Sequence, residues 1–241
     1  MADVNTNFSV FRRSQPYRSN PSRDEGNFRS ILWELHLGRE PVPFEIVAHH
    51  GLDLSIEYSS RDLLKSDYEF VRYEGVGTAI IPTFGSRFLS RPGFRLRIAA
   101  GASTDWLPRQ RMFSIESASS GFAPFGVMKG MNVKEFVGTR YVAVNIEHNF
   151  RSIPFLALDI PELYENNIEI ILHAGAARIY TPGTITIAGA SGSLFSESSQ
   201  AWYTEAGIGI SRILELIRCD FTWRLSNPRF FRVTVGVANL L

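Results

Sequence analysis

Seven charged residues stand where they could act together: Glu135, Arg140, Glu147, Glu205, Arg218, Asp220 and Arg224. They fall in stretches where apolar and polar residues alternate, so on extended strands carboxylates and guanidiniums can share one face and pair there. Such a set can keep an interior hydrated or hold a loop by charge. The other reactive side chains are scattered. His49 and His50 adjoin, and neighbours on a strand face opposite sides, so they cannot chelate one metal ion from there. His36, His148 and His173 lie in separate stretches with no local pattern of acidic partners. Gly189-Ala190-Ser191-Gly192-Ser193 lacks the strand–turn–helix setting of a nucleophile elbow. Gly207-Ile208-Gly209 is too short for a dinucleotide fingerprint, and these glycines suit strand bending or the close packing of an inward loop. Cys219 alternates with Phe221 on an apolar face, where a thiol is usually inert. The expectation is a protein without catalytic residues, metal or cofactor.

Composition narrows the class. Lys+Arg number 25 against Asp+Glu 24 in 241 residues, a net charge of +1. A general nucleic-acid binder would carry a basic excess or patch, so no nucleic-acid partner is expected. Hydrophobic residues make up 44 %, too many for a disordered chain. A single cysteine excludes a disulfide framework and a cysteine zinc cage within the chain. Residues 1–18 lack the apolar core of a secretory signal, and no run approaches the ~18 apolar residues of a membrane-spanning helix. Residues 14–26, rich in Ser, Pro and Arg, read as loop. The chain therefore divides into a flexible arm, residues 1–26, and one domain, residues 27–241.

The elements that must position the charged set have a period of two. Phe94, Leu96, Ile98 and Ala100 oppose Arg95, Arg97 and Ala99, a strand with one apolar and one wet face. The same alternation sets Ile31, Trp33, Leu35 and Leu37 against Leu32, Glu34 and His36, and Leu52, Leu54, Ile56 and Tyr58 against Asp53, Ser55 and Glu57. It returns with Cys219, Phe221, Trp223 and Leu225 against Arg218, Asp220, Thr222 and Arg224, and with Phe231, Val233, Val235 and Val237 against Arg232, Thr234 and Gly236. Further strands are expected at residues 68–82, 112–116, 134–150, 167–180 and 203–210. That makes roughly ten, several of the ~9–11 residues of a tilted membrane-spanning strand. Residues 161–166 suit one helical turn, and residues 212–217 either a turn or a strand start. The class is all-β.

Alternation alone leaves two readings open. In a soluble ligand-binding barrel or sandwich the apolar face is core and the charged face meets water; in a membrane barrel the apolar face meets lipid and the charged face lines the lumen. Three features lean to the membrane. Aromatics fall near strand ends, at Trp33, Tyr58, Tyr141, Phe150, Tyr180, Trp202, Tyr203 and Trp223, as interfacial girdles would place them. Opposite charges recur on the expected inner faces, as at Arg140 and Glu147 or Arg218, Asp220 and Arg224. Longer Gly/Ser-rich connections, residues 117–130 and 181–199, alternate with others, although residues 151–166 interrupt the pattern.

Residues 122–150 (FAPFGVMKGMNVKEFVGTRYVAVNIEHNF) resemble a stretch of a Bacteroidetes-type outer-membrane β-barrel family whose members often carry an N-terminal carboxypeptidase-regulatory-like domain. The matching positions are Phe125, Met128, Glu135, Phe136, Tyr141, His148 and Phe150. KSDYEF (residues 65–70), DWLP (105–108) and WYTEAGIGISRILELIRCDFTWRL (202–225) also resemble family segments, the last with Glu205, Gly207, Gly209, Arg218 and Asp220 in place. The barrel is similar to those of the BamA-like surface-antigen superfamily. Thr139 departs from the family where an acidic residue is expected, the connection after Phe150 is short, and Asn239 and Leu241 stand where the terminal strand signal prefers aromatics.

The resemblance implies an antiparallel transmembrane β-barrel, or the C-terminal part of a larger one that begins with a signal peptide. It implies a non-enzymatic protein of the outer membrane of a Gram-negative bacterium, in an export, assembly or surface-antigen role. Outer-membrane lipid and the barrel-assembly machinery are the implied partners. The seven charged residues would then form a lumen network holding residues 117–130 folded inward.

Overall fold

The computed structural model describes residues 26–38, 49–83, 92–104, 107–117, 127–132, 135–180 and 201–237. The arm up to residue 25, the connection 181–199, Phe122, Pro124, Phe125, Asn239 and Leu241 lie outside them. Nine strands make one antiparallel sheet: β1 (Ile31–Gly38), β2 (His49–Ser59), β3 (Phe70–Pro82), β4 (Gly93–Ser103), β7 (Arg140–Arg151), β8 (Glu169–Tyr180), β9 (Tyr203–Ile213), β10 (Ile217–Arg224) and β11 (Phe230–Val237). Each pairs with the next in chain order, and among the described residues the sheet does not close, ending at β1 and β11. Two-residue strands β5 (Phe113–Ser114) and β6 (Val137–Gly138) pair apart from it. Helical turns α1 (Arg61–Leu64), α2 (Ile153–Ala157) and α3 (Pro161–Glu165) lie in connections.

The all-β class expected from the sequence is what the chain adopts, with two local differences. Residues 112–116 were expected as a strand of the sheet, but Met112, Phe113 and Ile115 are all buried. The segment packs these side chains onto the interior while Ser114 and Glu116 stay exposed, and only Phe113 and Ser114 pair as β5. Residues 134–150 were expected as one strand; it breaks at Thr139, whose N–H donates to Tyr180 O at 3.0 Å, leaving β6 separate from β7.

The pairing register keeps one parity on one face across all nine strands. Trp33 lies opposite Ile56, Ile56 opposite Tyr73, Tyr73 opposite Ala102 and Ala102 opposite Arg140. The same face continues from Arg140 to Tyr180, from Leu172 to Ile208, from Ile208 to Phe221 and from Phe221 to Val233. This face is apolar and turned outward: Phe231, Val233 and Val235 are 49, 49 and 51 % exposed. Its charged members are Arg140, Arg178 and Arg212, each within two residues of a strand end. The opposite face carries Glu57, Glu147, Glu169, Glu205, Arg218, Asp220 and Arg224, all buried. The polarity is the reverse of a soluble sandwich, in which the exposed side of each strand is the polar one.

What covers the polar face is the connection between β4 and β7. Its side chains Leu107, Met112, Phe113, Ile115, Met128, Met131 and Phe136 pack on Phe70, Ala99, Tyr141, Ala143, Ala177, Ile179 and Tyr203 of the strands. Those strand residues all lie toward the end where β1 begins, here called the upper rim. The apolar core is thus a layer between an inward segment and the upper half of the sheet, and the charges sit below it. The connections 60–69, 104–139, 181–202 and 225–229 share the upper rim; 39–48, 83–92, 152–168 and 214–216 share the lower. Both long connections expected from the sequence join the upper rim, and the irregular one, residues 151–166, holds α2 and α3 at the lower.

Of the aromatics expected at rims, Trp33, Tyr58, Tyr180, Trp202 and Trp223 are exposed near the upper end, joined by Tyr73 and Phe231. Tyr141 and Tyr203 have the other parity and are buried in the core instead. Since Phe113 is fully buried against Tyr141 at a 5.2 Å ring separation, Phe113→Ala should cost about 3–5 kcal/mol of folding free energy. Leu63→Ala, on exposed α1, should cost less than about 0.5 kcal/mol. Denaturant unfolding of the two variants, followed by tryptophan fluorescence, checks the contrast.

Candidate functional site

Alternation on four adjacent strands builds the centre of the polar face. β7 points Asn145, Glu147 and Asn149 inward, β8 His173 and Gly175, β9 Tyr203, Glu205 and Gly207, and β10 Arg218, Asp220, Thr222 and Arg224. Onto these descends the inward segment, whose residues 127–131 are all buried. Two contacts anchor its backbone. Met128 N–H donates to Glu116 O at 2.9 Å, and consecutive N–H groups of Lys129 and Gly130 donate to the Glu205 carboxylate at 2.8 and 2.7 Å. Successive N–H groups converging on one anion form a small cationic nest. The Tyr203 hydroxyl adds a third donor to Glu205 at 2.5 Å.

Glycine is required where the backbones come this close. A Cβ on Gly130 would sit 2.8 Å from the Tyr203 hydroxyl and 3.1 Å from Glu205 Oε2. On β8, a Cβ at Gly175 would sit 2.6 Å from Met128 Sδ, so the missing side chain is the seat of the methionine. Gly207 and Gly209, expected to make room for a loop, instead make room for strand neighbours, His173 and Asp220.

Lys129 carries the charge that completes the centre. Its Nζ donates to Glu147 Oε1 at 2.5 Å, with both side chains buried. Arg218 reaches the same carboxylate from β10, Nη2 to Oε1 at 3.0 Å and Nη1 to Oε2 at 3.3 Å. Its Nε donates to both Asp220 oxygens, at 3.0 and 2.9 Å. Two cations thus face two carboxylates with most donors engaged, the condition under which buried charge is tolerated. His173 Nε2 lies 3.0 Å from Thr222 Oγ1, and its Nδ1 is 3.7 Å from Asp220.

Further contacts spread along the segment. Arg224 pairs with Glu135 at 2.5 Å while its guanidinium lies 4.9 Å from the Tyr203 ring centre and 5.4 Å from that of Phe230. Arg232 on β11 donates to Met131 O at 2.8 Å and Asn132 Oδ1 at 2.6 Å. At the opposite side of the sheet Arg97 pairs with Glu116 at 3.0 Å, Arg72 lies 4.1 Å over Phe113, and Arg111 is 3.5 Å from Glu57 of β2. One connection therefore contacts strands from β2 to β11.

Six of the seven expected residues, Glu135, Glu147, Glu205, Arg218, Asp220 and Arg224, meet in this arrangement around residues 127–135. Arg140 does not. It stands seven residues before Glu147 on one strand, an odd spacing that turns it to the opposite, outward face, where it is exposed. Lys129, Tyr203, Asn145 and Arg232 went unpredicted. Parity could have found the last three; Lys129 lies in a connection where no period applies.

The centre has ion pairs, hydrogen bonds and a close-packed backbone, the makings of a fastening. Among the described residues no group of three His, Cys, Asp or Glu side chains is placed to hold a metal ion. No protein-family model matches the chain, and no curated protein matches it.

Removing Arg218 would strand Glu147 and Asp220 in a buried site. Arg218→Met is therefore expected to destabilise the fold by about 3–5 kcal/mol, and Arg140→Met by less than about 0.5 kcal/mol. Urea unfolding of the two variants beside the parent measures both; equal effects would deny the network its role.

Proposed function

We propose that the protein is a non-enzymatic outer-membrane β-barrel of the BamA-like surface-antigen kind, acting through its polar interior and its upper connections. The observation that carries this reading is the inverted polarity. Nine successive strands of 8 to 13 residues turn an apolar side outward, and β2, β7, β8, β9 and β10 bury charged residues on the other. In water, an exposed face bearing Leu35, Leu54, Ile98, Leu172, Ile208, Phe221 and Val233 would forfeit the hydrophobic stabilisation that folding normally draws from such side chains. In hydrocarbon the same face costs nothing, and a strand of ~9–11 residues tilted by ~45° spans the apolar layer.

The details of the outer face agree with that solvent. Its three arginines lie near strand ends, where long cationic side chains can reach headgroups. Arg178 lies 4.8 Å from the Tyr180 ring centre and 5.9 Å from that of Trp202, a cation within an aromatic belt. Trp33, Tyr58, Tyr73, Tyr180, Trp202 and Trp223 gather at the upper rim, the position of an interfacial girdle. The longest connection, 104–139, joins the upper rim and the shortest, 214–216, the lower, in the sense of the asymmetry of outer-membrane barrels, although 152–168 also joins the lower.

Within such a barrel the inward segment is a plug held by Glu205, Glu147 and Arg218. Export, assembly or display would then depend on how firmly that plug is seated, with outer-membrane lipid outside and barrel-assembly machinery as the partner in insertion.

The reading is tested by refolding the protein into phospholipid vesicles. Recovery with the membrane fraction and a heat-modifiable gel migration are expected; a monodisperse protein in buffer without detergent would refute it. Val144→Arg, central on the outer face, should weaken folding into vesicles by about 2–4 kcal/mol, whereas Ser55→Arg on the polar face should leave it within about 1 kcal/mol. If the plug gates an aqueous path, the double variant Lys129→Met, Glu205→Gln should raise conductance across planar bilayers above the parent's.

A further inference from the structure

The outward face is unbalanced in charge. Along its nine strands it holds Arg140, Arg178 and Arg212 and, among the described residues, no carboxylate. The inner face differs, for Arg97, Arg151, Arg218 and Arg224 each pair with a carboxylate. Two of the three outward arginines stand together at the upper rim. Arg140 lies opposite Tyr180 and Arg178 opposite Val142. The pair therefore occupies a diagonal of adjacent strands, about 7–8 Å apart, a separation that long side chains bridge. Arg140 is exposed and Arg178 half-buried. Among the described residues neither guanidinium donates a hydrogen bond or meets a carboxylate, and Nε of Arg178 is buried without an acceptor.

The surroundings hold one guanidinium and leave room beside the other. That of Arg178 lies 4.8 Å from the Tyr180 ring centre and 5.9 Å from that of Trp202. A cation already seated against two rings loses little freedom when an anion arrives. On the other side Ala102 lies opposite Arg140, and Tyr73 opposite Ala102, so a small side chain leaves the surface low between Tyr73 and Arg140. Tyr180 and Trp202 are exposed and add a hydroxyl and an indole N–H that meet no acceptor among the described residues. Toward the lower rim the same two strands continue outward as Val142, Val144 and Ile146, and as Ala176, Ala174 and Leu172. A cluster made only of donors thus stands at the head of an apolar bed, which is the outline of an amphiphile with an anionic head.

We infer that Arg140 and Arg178 bind the phosphate of a lipid with a phosphomonoester headgroup at the upper rim, its chains lying along β7 and β8. The inference rests on the barrel reading above and adds to it the class of lipid. Guanidinium forks match phosphate oxygens two at a time, and basic clusters at a membrane surface select anionic headgroups. A phosphomonoester carries a charge of about −1.5 to −2 near neutral pH, which two unpaired arginines balance. A phosphodiester brings a single negative charge, and phosphatidylcholine brings a cation of its own. Inorganic phosphate offers the same oxygens but no chain for the apolar bed, so the lipid is the source. Arg212, on the same face at the lower rim, stands alone and has the same charge.

The test uses the full chain, refolded in phosphatidylcholine vesicles, transferred to neutral detergent micelles and titrated with phosphatidic acid. Native mass spectrometry counts the bound lipid. One phosphatidic acid per chain is expected, taken in preference to phosphatidylglycerol and phosphatidylcholine. Combining Arg140→Gln with Arg178→Gln should weaken it about tenfold or more, whereas Arg212→Gln should change it less than about twofold. A large excess of inorganic phosphate should not displace it. A folded parent that takes phosphatidic acid no better than phosphatidylglycerol overturns the site and leaves the barrel reading standing. An equal loss in Arg212→Gln does the same, since attraction by net charge then suffices. Displacement by inorganic phosphate overturns the lipid as occupant in favour of the free anion. A parent that does not enter vesicles overturns both the site and the barrel.

Discussion

Burying a carboxylate costs several kcal/mol unless donors replace the water it loses, and this chain buries three of them in one place. Glu147, Glu205 and Asp220 are 3, 3 and 1 % exposed. The strands alone supply too few donors: β9 offers the Tyr203 hydroxyl to Glu205 and then glycines at 207 and 209, and β8 offers one imidazole, at His173. Arg218 can satisfy Asp220 and half of Glu147. The remainder comes from a segment of another element, through the ammonium of Lys129 and the two N–H groups that reach Glu205. The inward fold of the β4–β7 connection is thus a demand of electrostatics as much as of packing. Its apolar side chains fill the upper half of the interior while Lys129 and its bare backbone answer Glu147 and Glu205.

The sheet was legible because alternation is a physical signal with a fixed period. Five strands, β1, β2, β4, β10 and β11, repeat apolar and polar residues so consistently that the phase of each was read from its own residues, and the inner charges Arg218, Asp220 and Arg224 followed. The error at Arg140 has the same origin. Its charge suggested an inner position, but its spacing from Glu147 is odd, and spacing decides the face. Tyr141 and Tyr203 likewise lie near strand ends, which suggested a rim; their parity puts them in the core. Where a period is short or missing the sequence says less. Phe113 and Ile115 alternate with Ser114 and Glu116, which marks a short extended piece but not that it leaves the main sheet, and Lys129 is recognisable as a partner of Glu147 only once the connection is seen to turn inward.

The fastening also constrains the register of the sheet. A slip of one residue between β7 and β8 would turn every side chain of the slipped strand to the other face. Glu147 would leave Lys129 and Arg218, and Ile146 would enter in its place, so each slip breaks a buried ion pair and exposes a charge on the apolar side. Two irregularities are present, between Asn149 and Arg151 and between Ile217 and Cys219. Both lie toward the lower rim, the second flanking Arg218 itself, which still reaches Asp220 and Glu147, and at the first of them Asn149 and Arg151 still converge on Glu169, each at 2.7 Å. A bulge in mid-strand would have put Arg218 and Asp220 on opposite sides of the sheet. Placed at the rim, it adds twist without disturbing the phase above it. Register, plug and charge network are therefore one arrangement: the alternation that gives the sheet two unlike faces is held in phase by the segment that alternation obliges the chain to fold inward.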